Sequence, residues 1–78
     1  MHEVVLFTKR DCCLCDEAKV QIRAARTRVD FAYREVDIES DPAIFEAHRY
    51  DIPVVEVDGR RAFKYRLTAD ALVERLSR

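Results

Sequence analysis

VVLFTKRDCCLC, residues 4–15, carries the strongest structural pattern in the sequence. Residues 4–7 form a continuous β-prone apolar run, typical of a strand buried on both faces in the middle of an α/β sheet. The polar residues 8–11 indicate a loop, and from Leu14 to about Val29 the apolar side chains recur at helical spacing. The stripe consists of Ala18, Ile22, Ala25 and Val29. This stretch therefore predicts a buried strand, a loop that carries cysteines and a helix.

The cysteines at this junction include a C-x-x-C pair, Cys12 and Cys15. Residues three apart share one face of a helix, so the two sulfurs can close a disulfide with little backbone movement. The first cysteine lies beside unpaired helix N–H groups and the positive end of the helix dipole, which favour a thiolate. We therefore predict that Cys12 is a nucleophile with a lowered pKa. Cys15, one turn into the helix, is expected to be more buried and to resolve the mixed disulfide.

Metal binding is the alternative to redox chemistry for the cysteine cluster. A zinc site needs four ligands, whereas Cys12, Cys13 and Cys15 supply three, and His2 and His48 are distant in sequence. A carrier of a soft ion such as Cu(I), held by the three thiols, stays open as an alternative of a different class. The order of strand, C-x-x-C and helix favours the redox interpretation, with Cys13 as a tolerated small residue between the pair.

The rest of the chain completes an alternating pattern. Residues 31–38 predict an edge strand, and Asp41-Pro42 is a helix start with Asp41 as N-cap, the helix running to about Arg49. Residues 54–57 predict a third strand, Asp58-Gly59 a hairpin turn and residues 60–65 the exposed returning strand. Thr68 caps a last helix, whose apolar face is formed by Leu72, Val73 and Leu76.

The order of these elements is β-α-β-α-β-β-α. The span between the first two strands is long enough for a crossover, so they are predicted to be parallel, whereas the hairpin makes the last two antiparallel. The fold class is therefore α/β, a four-stranded mixed sheet with helices on both faces. With 78 residues, the chain is expected to form one domain over residues 1–78.

Composition narrows the function classes. Fourteen basic and fifteen acidic residues give a net charge of -1, which argues against a nucleic-acid partner. The longest apolar runs have four residues, far short of the ~20 that a membrane helix needs, and we expect no membrane partner. All three cysteines fall within four residues, unlike those of a disulfide-stapled secreted domain. No leader-like pattern precedes the first strand, so we expect the protein in the cytoplasm. We also expect a monomer.

Four short motifs carry a resemblance to a known family: Thr8-Lys9, Cys12-x-x-Cys15, Ile52-Pro53-Val54 and Asp58-Gly59. Over essentially its whole length the sequence resembles the glutaredoxins, and more narrowly the small glutaredoxin-like proteins with a C-x-L-C centre. The resemblance implies a thioredoxin fold, thiol–disulfide exchange with protein or small-molecule disulfides, and no tightly bound cofactor. It also implies that Pro53 is a cis proline facing the cysteines, and that the backbone of Ile52 and Val54 pairs with an extended substrate.

The chain departs from the glutaredoxin pattern at two places. Cys13-Leu14 stands where typical glutaredoxins have Pro-Tyr, and residues 67–71 lack the Gly-Gly pair and the second aspartate that help to hold glutathione. Asp70 matches the first aspartate, and Lys9 is kept as a carboxylate partner. Glutathione therefore stays open as a co-substrate and electron donor.

A second donor is open as well. The redoxin that serves ribonucleotide reductase is similar in its Thr-Lys and Asp-Gly motifs, and it draws electrons from a thioredoxin-reductase-type flavoprotein. A further alternative that the resemblance raises is an iron–sulfur carrier bridging two protomers with glutathione as co-ligand. The missing glycine pair argues against this alternative.

Overall fold

Eight short elements make up the chain, and the computed structural model describes all of residues 1–78. They are β1 (Glu3–Thr8), α1 (Cys13–Arg26), β2 (Ala32–Asp37), a 3-10 turn (Ile38–Ser40), α2 (Pro42–His48), β3 (Val54–Val57), β4 (Arg60–Lys64) and α3 (Ala69–Leu76). The predicted order of helices and strands is confirmed. The 3-10 turn is an addition that the sequence pattern did not indicate.

The four strands form one mixed sheet in the order β2-β1-β3-β4. β1 and β2 are parallel, whereas β3 is antiparallel to both β1 and β4, as predicted. Phe7, near the end of β1, lies opposite Val54, at the start of β3. The loop that follows β1 and the Ile52-Pro53 peptide that precedes β3 therefore lie at the same end of the sheet.

Alternate side chains of β1 face two separate apolar layers. Val4 and Leu6 pack in a cluster with the buried faces of α1 and α3, whereas Val5 and Phe7 pack on the other face with Ile38 and partly buried residues of α2. β1 is thus buried on both faces, which accounts for its uninterrupted apolar run. Helices cover both faces of the sheet, as predicted.

The caps that the sequence indicated are present. The Asp41 carboxylate accepts from the backbone N–H of Ala43 at 2.8 Å, and the Thr68 hydroxyl accepts from that of Ala71 at 3.1 Å. Asp58 and Gly59 have φ angles of 53° and 83°, the two positive values that a type I′ hairpin turn requires.

Several predicted boundaries were wrong. Thr8 belongs to β1 and not to the loop, and α1 ends at Arg26 and not near Val29. Thr27 ends this helix because its hydroxyl and its N–H both turn back to the Ala24 carbonyl, at 2.7 and 3.2 Å, so that Val29 lies beyond the helix and is half-buried.

The other shifts are of one or two residues. β2 covers Ala32–Asp37 and not 31–38, because Phe31 is buried ahead of the strand and Ile38 begins the 3-10 turn that Asp37 caps. α2 ends at His48, one residue early. β4 ends at Lys64, because Tyr65 takes a left-handed backbone conformation with φ of 67°.

Candidate active site

The cysteines lie where the loop after β1 enters α1. Asp11 has a left-handed backbone (φ 58°) and Cys12 an extended one (φ −108°), so Cys12 is the N-cap of α1. Its carbonyl accepts from the N–H of Asp16 at 3.1 Å, and its Sγ accepts from the N–H of Cys15 at 3.2 Å. The sulfur of Cys12 therefore occupies the place that a serine or aspartate oxygen takes at many helix starts.

The three thiols differ in access to solvent. Cys15 is fully buried, Cys12 is half-buried and Cys13 is exposed, and all three are free thiols. This order of burial was predicted for Cys12 and Cys15 and is confirmed. An incoming disulfide can reach Cys12, whereas Cys15 is shielded within the first turn of α1.

The expected lowering of the Cys12 pKa was wrong. Burial raises the pKa of the Cys12 thiol above its ordinary value, and a side-chain hydrogen bond with Cys15 raises it further. The backbone N–H groups of Cys15 and Leu14 act in the opposite direction but do not outweigh these effects. In the reduced pair, desolvation of the Cys12 thiol and its side-chain hydrogen bond with Cys15 raise its pKa more than the two backbone N–H groups lower it.

The raised pKa of Cys12 predicts how its alkylation depends on pH. Because the thiolate is the reacting form, the half-maximal iodoacetamide rate at Cys12 should fall at a higher pH than for the same thiol in the urea-unfolded chain. Mass spectrometry of peptides from the Cys13→Ser variant measures it without interference from the exposed neighbour. Cys15→Ser in the same background should move the midpoint down. A folded-state midpoint below the unfolded one would contradict the prediction.

The Ile52-Pro53 peptide bond is cis, as the resemblance implies, and Pro53 is buried with its carbonyl accepting from the N–H of Tyr65 at 2.8 Å. The N–H and C=O of Ile52 make no hydrogen bond within the chain. Val54 differs, because its strand is flanked by β1 and β4, with Phe7 and Lys64 opposite it. The free backbone edge at this end of the sheet is therefore Ile52.

The two residues that the resemblance implies for binding glutathione, Lys9 and Asp70, are placed differently. Lys9 is exposed in the loop before Cys12, in an open charged groove with Arg10, Asp11 and Glu39. Asp70, in the first turn of α3, pairs with Arg28 at 2.5 Å. Arg28 follows the end of α1 that is remote from the cysteines, roughly 20 Å along a 14-residue helix. The structure thus brings Lys9 to the cysteine loop but turns the Asp70 carboxylate away from it.

A cavity of about 180 Å³ lies beside Leu14, between α1 and the segment that follows β4. Gln21 and Thr68 line it and also satisfy the start of α3: the Gln21 Oε1 accepts from the N–H of Ala69 at 2.9 Å, and the Thr68 hydroxyl from that of Ala71. Tyr65 lines the same cavity. Sequence reasoning did not single out Gln21 or Tyr65, because both act through contacts with residues distant in sequence.

Thr8 ends β1 next to this site. It is buried, and its Oγ1 has no hydrogen-bond partner. By the alternation of β1 it lies on the face of the sheet that α1 covers, like Leu6. Thr8 is therefore a polar group held in the layer between β1 and α1.

No group of three or more His, Cys, Asp or Glu side chains is arranged to hold a metal ion. None of the three helices combines the length and the apolar character required to cross a bilayer.

Comparison with solved structures shows the class of fold. The chain is similar to a mutant thioredoxin from Halobacterium salinarum, with a TM-score of 0.73 and 17% identity over 97% of this chain and 72% of that one. It is similar to protein Ne2328 from Nitrosomonas europaea, with a TM-score of 0.74 and 15% identity over 95% of this chain and 89% of that one. The fold is therefore the thioredoxin fold, as predicted.

The family follows from the sequence itself. The model of the glutaredoxin-like domain (DUF836) family matches residues 3–77, so the chain belongs to this family. The X-ray structure of the structural-genomics target protein XcR50 from X. campestris is similar, with a TM-score of 0.77 and 28% identity over 95% of both chains. The glutaredoxin-like assignment made from the four motifs is confirmed, and it indicates a redox function.

Proposed function

We propose that this protein is a dithiol thiol–disulfide oxidoreductase. The observation that carries the proposal is the pair itself: a half-buried Cys12 at the N-cap of α1, with its Sγ 3.2 Å from the N–H of a fully buried Cys15. An accessible thiol next to a shielded one suits attack followed by resolution. We expect the reaction to take place in the cytoplasm, where thiols are kept reduced. It needs no tightly bound cofactor.

The reaction has two exchange steps. The Cys12 thiolate attacks one sulfur of the substrate disulfide, forms a mixed disulfide and releases the other substrate sulfur as a thiolate that takes up a proton. Cys15 then loses its proton and attacks the Sγ of Cys12, which releases the second substrate thiol. The substrate gains two electrons and two protons, and the Cys12–Cys15 disulfide holds the oxidising equivalent.

A protein disulfide is the substrate class that the surroundings of the pair favour. The unpaired N–H and C=O of Ile52 can form hydrogen bonds with an extended chain at the end of the sheet where the cysteine loop lies. The cavity beside Leu14, in which half of the lining residues are hydrophobic, can accommodate a substrate side chain. Lys9, in the cysteine loop, is a cation for an acidic group of the substrate.

For the electron donor, we propose a protein dithiol of the thioredoxin-reductase type instead of glutathione. The resemblance locates glutathione's charged ends at the start of the last helix in glutaredoxins. In this chain the side chains of Gln21 and Thr68 already accept hydrogen bonds from backbone N–H groups at that helix start. The Asp70 carboxylate pairs with Arg28. A tripeptide would have to displace these contacts, and the chain has no glycine pair there to let it approach.

A comparison of donors tests the proposal. With insulin as the disulfide substrate, the protein is supplied with NADPH and either thioredoxin reductase or glutathione with glutathione reductase, and NADPH consumption is followed in both, with Cys12→Ser as the blank. We expect turnover with the flavoprotein and a rate near the blank with glutathione. Efficient turnover with glutathione alone would overturn the donor assignment, and no turnover with either donor or with dithiothreitol would overturn the oxidoreductase itself.

A further inference from the structure

Tyr65 has a backbone conformation that its residue type avoids. Its φ is 67°, in the left-handed region. The other two non-glycine residues with positive φ are Asp11 and Asp58, a residue type that tolerates this region. A bulky aromatic residue there is a genuine outlier, and such conformations persist when surrounding contacts hold them and cluster at functional sites.

The contacts that hold Tyr65 all lead to the segment before β3. Its N–H donates to the Pro53 carbonyl at 2.8 Å. Its phenolic hydroxyl contacts the Tyr50 carbonyl at 3.2 Å and the Asp51 carboxylate at 3.3 Å. Tyr65 therefore contacts residues on both sides of Ile52. Its backbone N–H bonds to Pro53, which follows Ile52, and its hydroxyl contacts the two residues that precede Ile52.

Arg61 of β4 also contacts the segment before β3. Arg61 donates to the other carboxylate oxygen of Asp51 at 3.1 Å, and another of its nitrogens lies 3.2 Å from the Nδ1 of His48. The ring of His48 stacks on that of Phe7 in β1, with 4.3 Å between centroids. Residues 48–53 are thus fixed to the sheet at both ends of the Ile52 edge, and Ile52 alone within residues 50–53 keeps both backbone groups unpaired.

We propose that Tyr65 is a positioning residue that orients the free N–H and C=O of Ile52 toward an extended polypeptide bound at Cys12. This inference rests on the proposed oxidoreductase function and deepens it, because it assigns the recognition of a peptide backbone to a named contact. The left-handed backbone of Tyr65 is then the strained conformation in which its N–H reaches Pro53 while its hydroxyl reaches Tyr50 and Asp51. A glycine would adopt the same φ without strain but would supply no hydroxyl.

The test compares two substrates. Insulin carries a polypeptide backbone next to its disulfides, whereas 2-hydroxyethyl disulfide carries none, and dithiothreitol serves as the reductant for both. Tyr65→Gly should lower kcat/KM for insulin about tenfold, the factor that one or two lost hydrogen bonds produce, with most of the change in KM. The loss with 2-hydroxyethyl disulfide should be at most about threefold, because this substrate has no backbone to pair with Ile52.

Stability separates positioning from a structural role. Because Tyr65→Gly relieves the left-handed strain, its melting temperature should equal or exceed that of the wild type, whereas loss of a structural residue would lower it. Tyr65→Phe also keeps the backbone bond to Pro53 and loses the same hydroxyl contacts, so its kcat/KM for insulin should fall by a similar factor, about tenfold. Tyr33→Phe, on the distant edge strand β2, is the matched control and should behave as wild type with both substrates.

The remaining outcomes decide against the inference in distinguishable ways. If Tyr65→Gly leaves the insulin rate unchanged, or lowers both rates equally, Tyr65 does not orient the peptide edge. If the wild type reduces neither substrate, the proposed oxidoreductase function fails, and the role of Tyr65 fails with it.

Discussion

Replacement of Cys15 by serine is expected to stop the reaction at the mixed disulfide. Without the second thiol, Cys12 still attacks a substrate disulfide, but the intramolecular release step is lost. The rate of release should fall by at least about 10³-fold, because a well-placed intramolecular group acts at an effective concentration far above that of any free thiol. Single-turnover mass spectrometry without added reductant should show the substrate covalently attached to Cys12, whereas the wild type releases reduced substrate.

Cys13 supplies the matched control for this experiment. It lies within the same turn but is exposed, and Cys13→Ser should release substrate at the wild-type rate. The double variant Cys13→Ser, Cys15→Ser should trap the same adduct as Cys15→Ser. An adduct found on Cys13, or full release by the Cys15→Ser variant, would show that the roles of the three thiols are assigned wrongly.

Leu6→Ala is expected to cause a large loss in the free energy of unfolding. Leu6 is fully buried at the centre of β1 and packs in the cluster shared with α1 and α3. Truncation of such a leucine costs about 3–5 kcal/mol, from the lost transfer free energy and the cavity that is left. A domain of this size has a total unfolding free energy of roughly 4–12 kcal/mol. Leu6→Ala should therefore bring a substantial fraction of the chain to the unfolded state at 37 °C.

Urea unfolding followed by circular dichroism measures this loss. Val20→Ala is the control: Val20 is 56% exposed on α1, and its truncation should change the unfolding free energy by less than about 0.5 kcal/mol. A loss below about 1 kcal/mol for Leu6→Ala would mean that the core around β1 relaxes to fill the space, contrary to the packing described above.

The parts of the fold that sequence predicted well are those with local causes. The apolar run of β1, the Asp41-Pro42 start of α2 and the Asp58-Gly59 turn each depend on neighbouring residues, and each was found in place. Helix and strand ends were predicted less well, because they depend on competition between a few hydrogen bonds. The hydroxyl of Thr27, which turns back to Ala24, ends α1 before the apolar stripe runs out.

The candidate site was only partly accessible to sequence reasoning. Spacing alone indicated that Cys12 and Cys15 share the first turn of α1 and that Cys15 is the more buried. It did not give the direction of the Cys12 pKa, because desolvation depends on the packed environment. The pairing of Asp70 with Arg28, 42 residues earlier, and the contacts of Tyr65 with residues 50–53 depend on the tertiary fold.

The unpaired backbone of Ile52 has a consequence for the choice of client proteins. Every polypeptide carries the N–H and C=O groups that would pair with it, so this contact carries no information about side-chain sequence. What it requires is geometry: a stretch of client chain that is locally extended and free of its own hydrogen bonds next to the disulfide. Disulfides in segments that open easily would be reduced quickly, whereas those within rigid, fully bonded strands would wait for local unfolding. Client selection would then follow the local stability of the client more than its sequence.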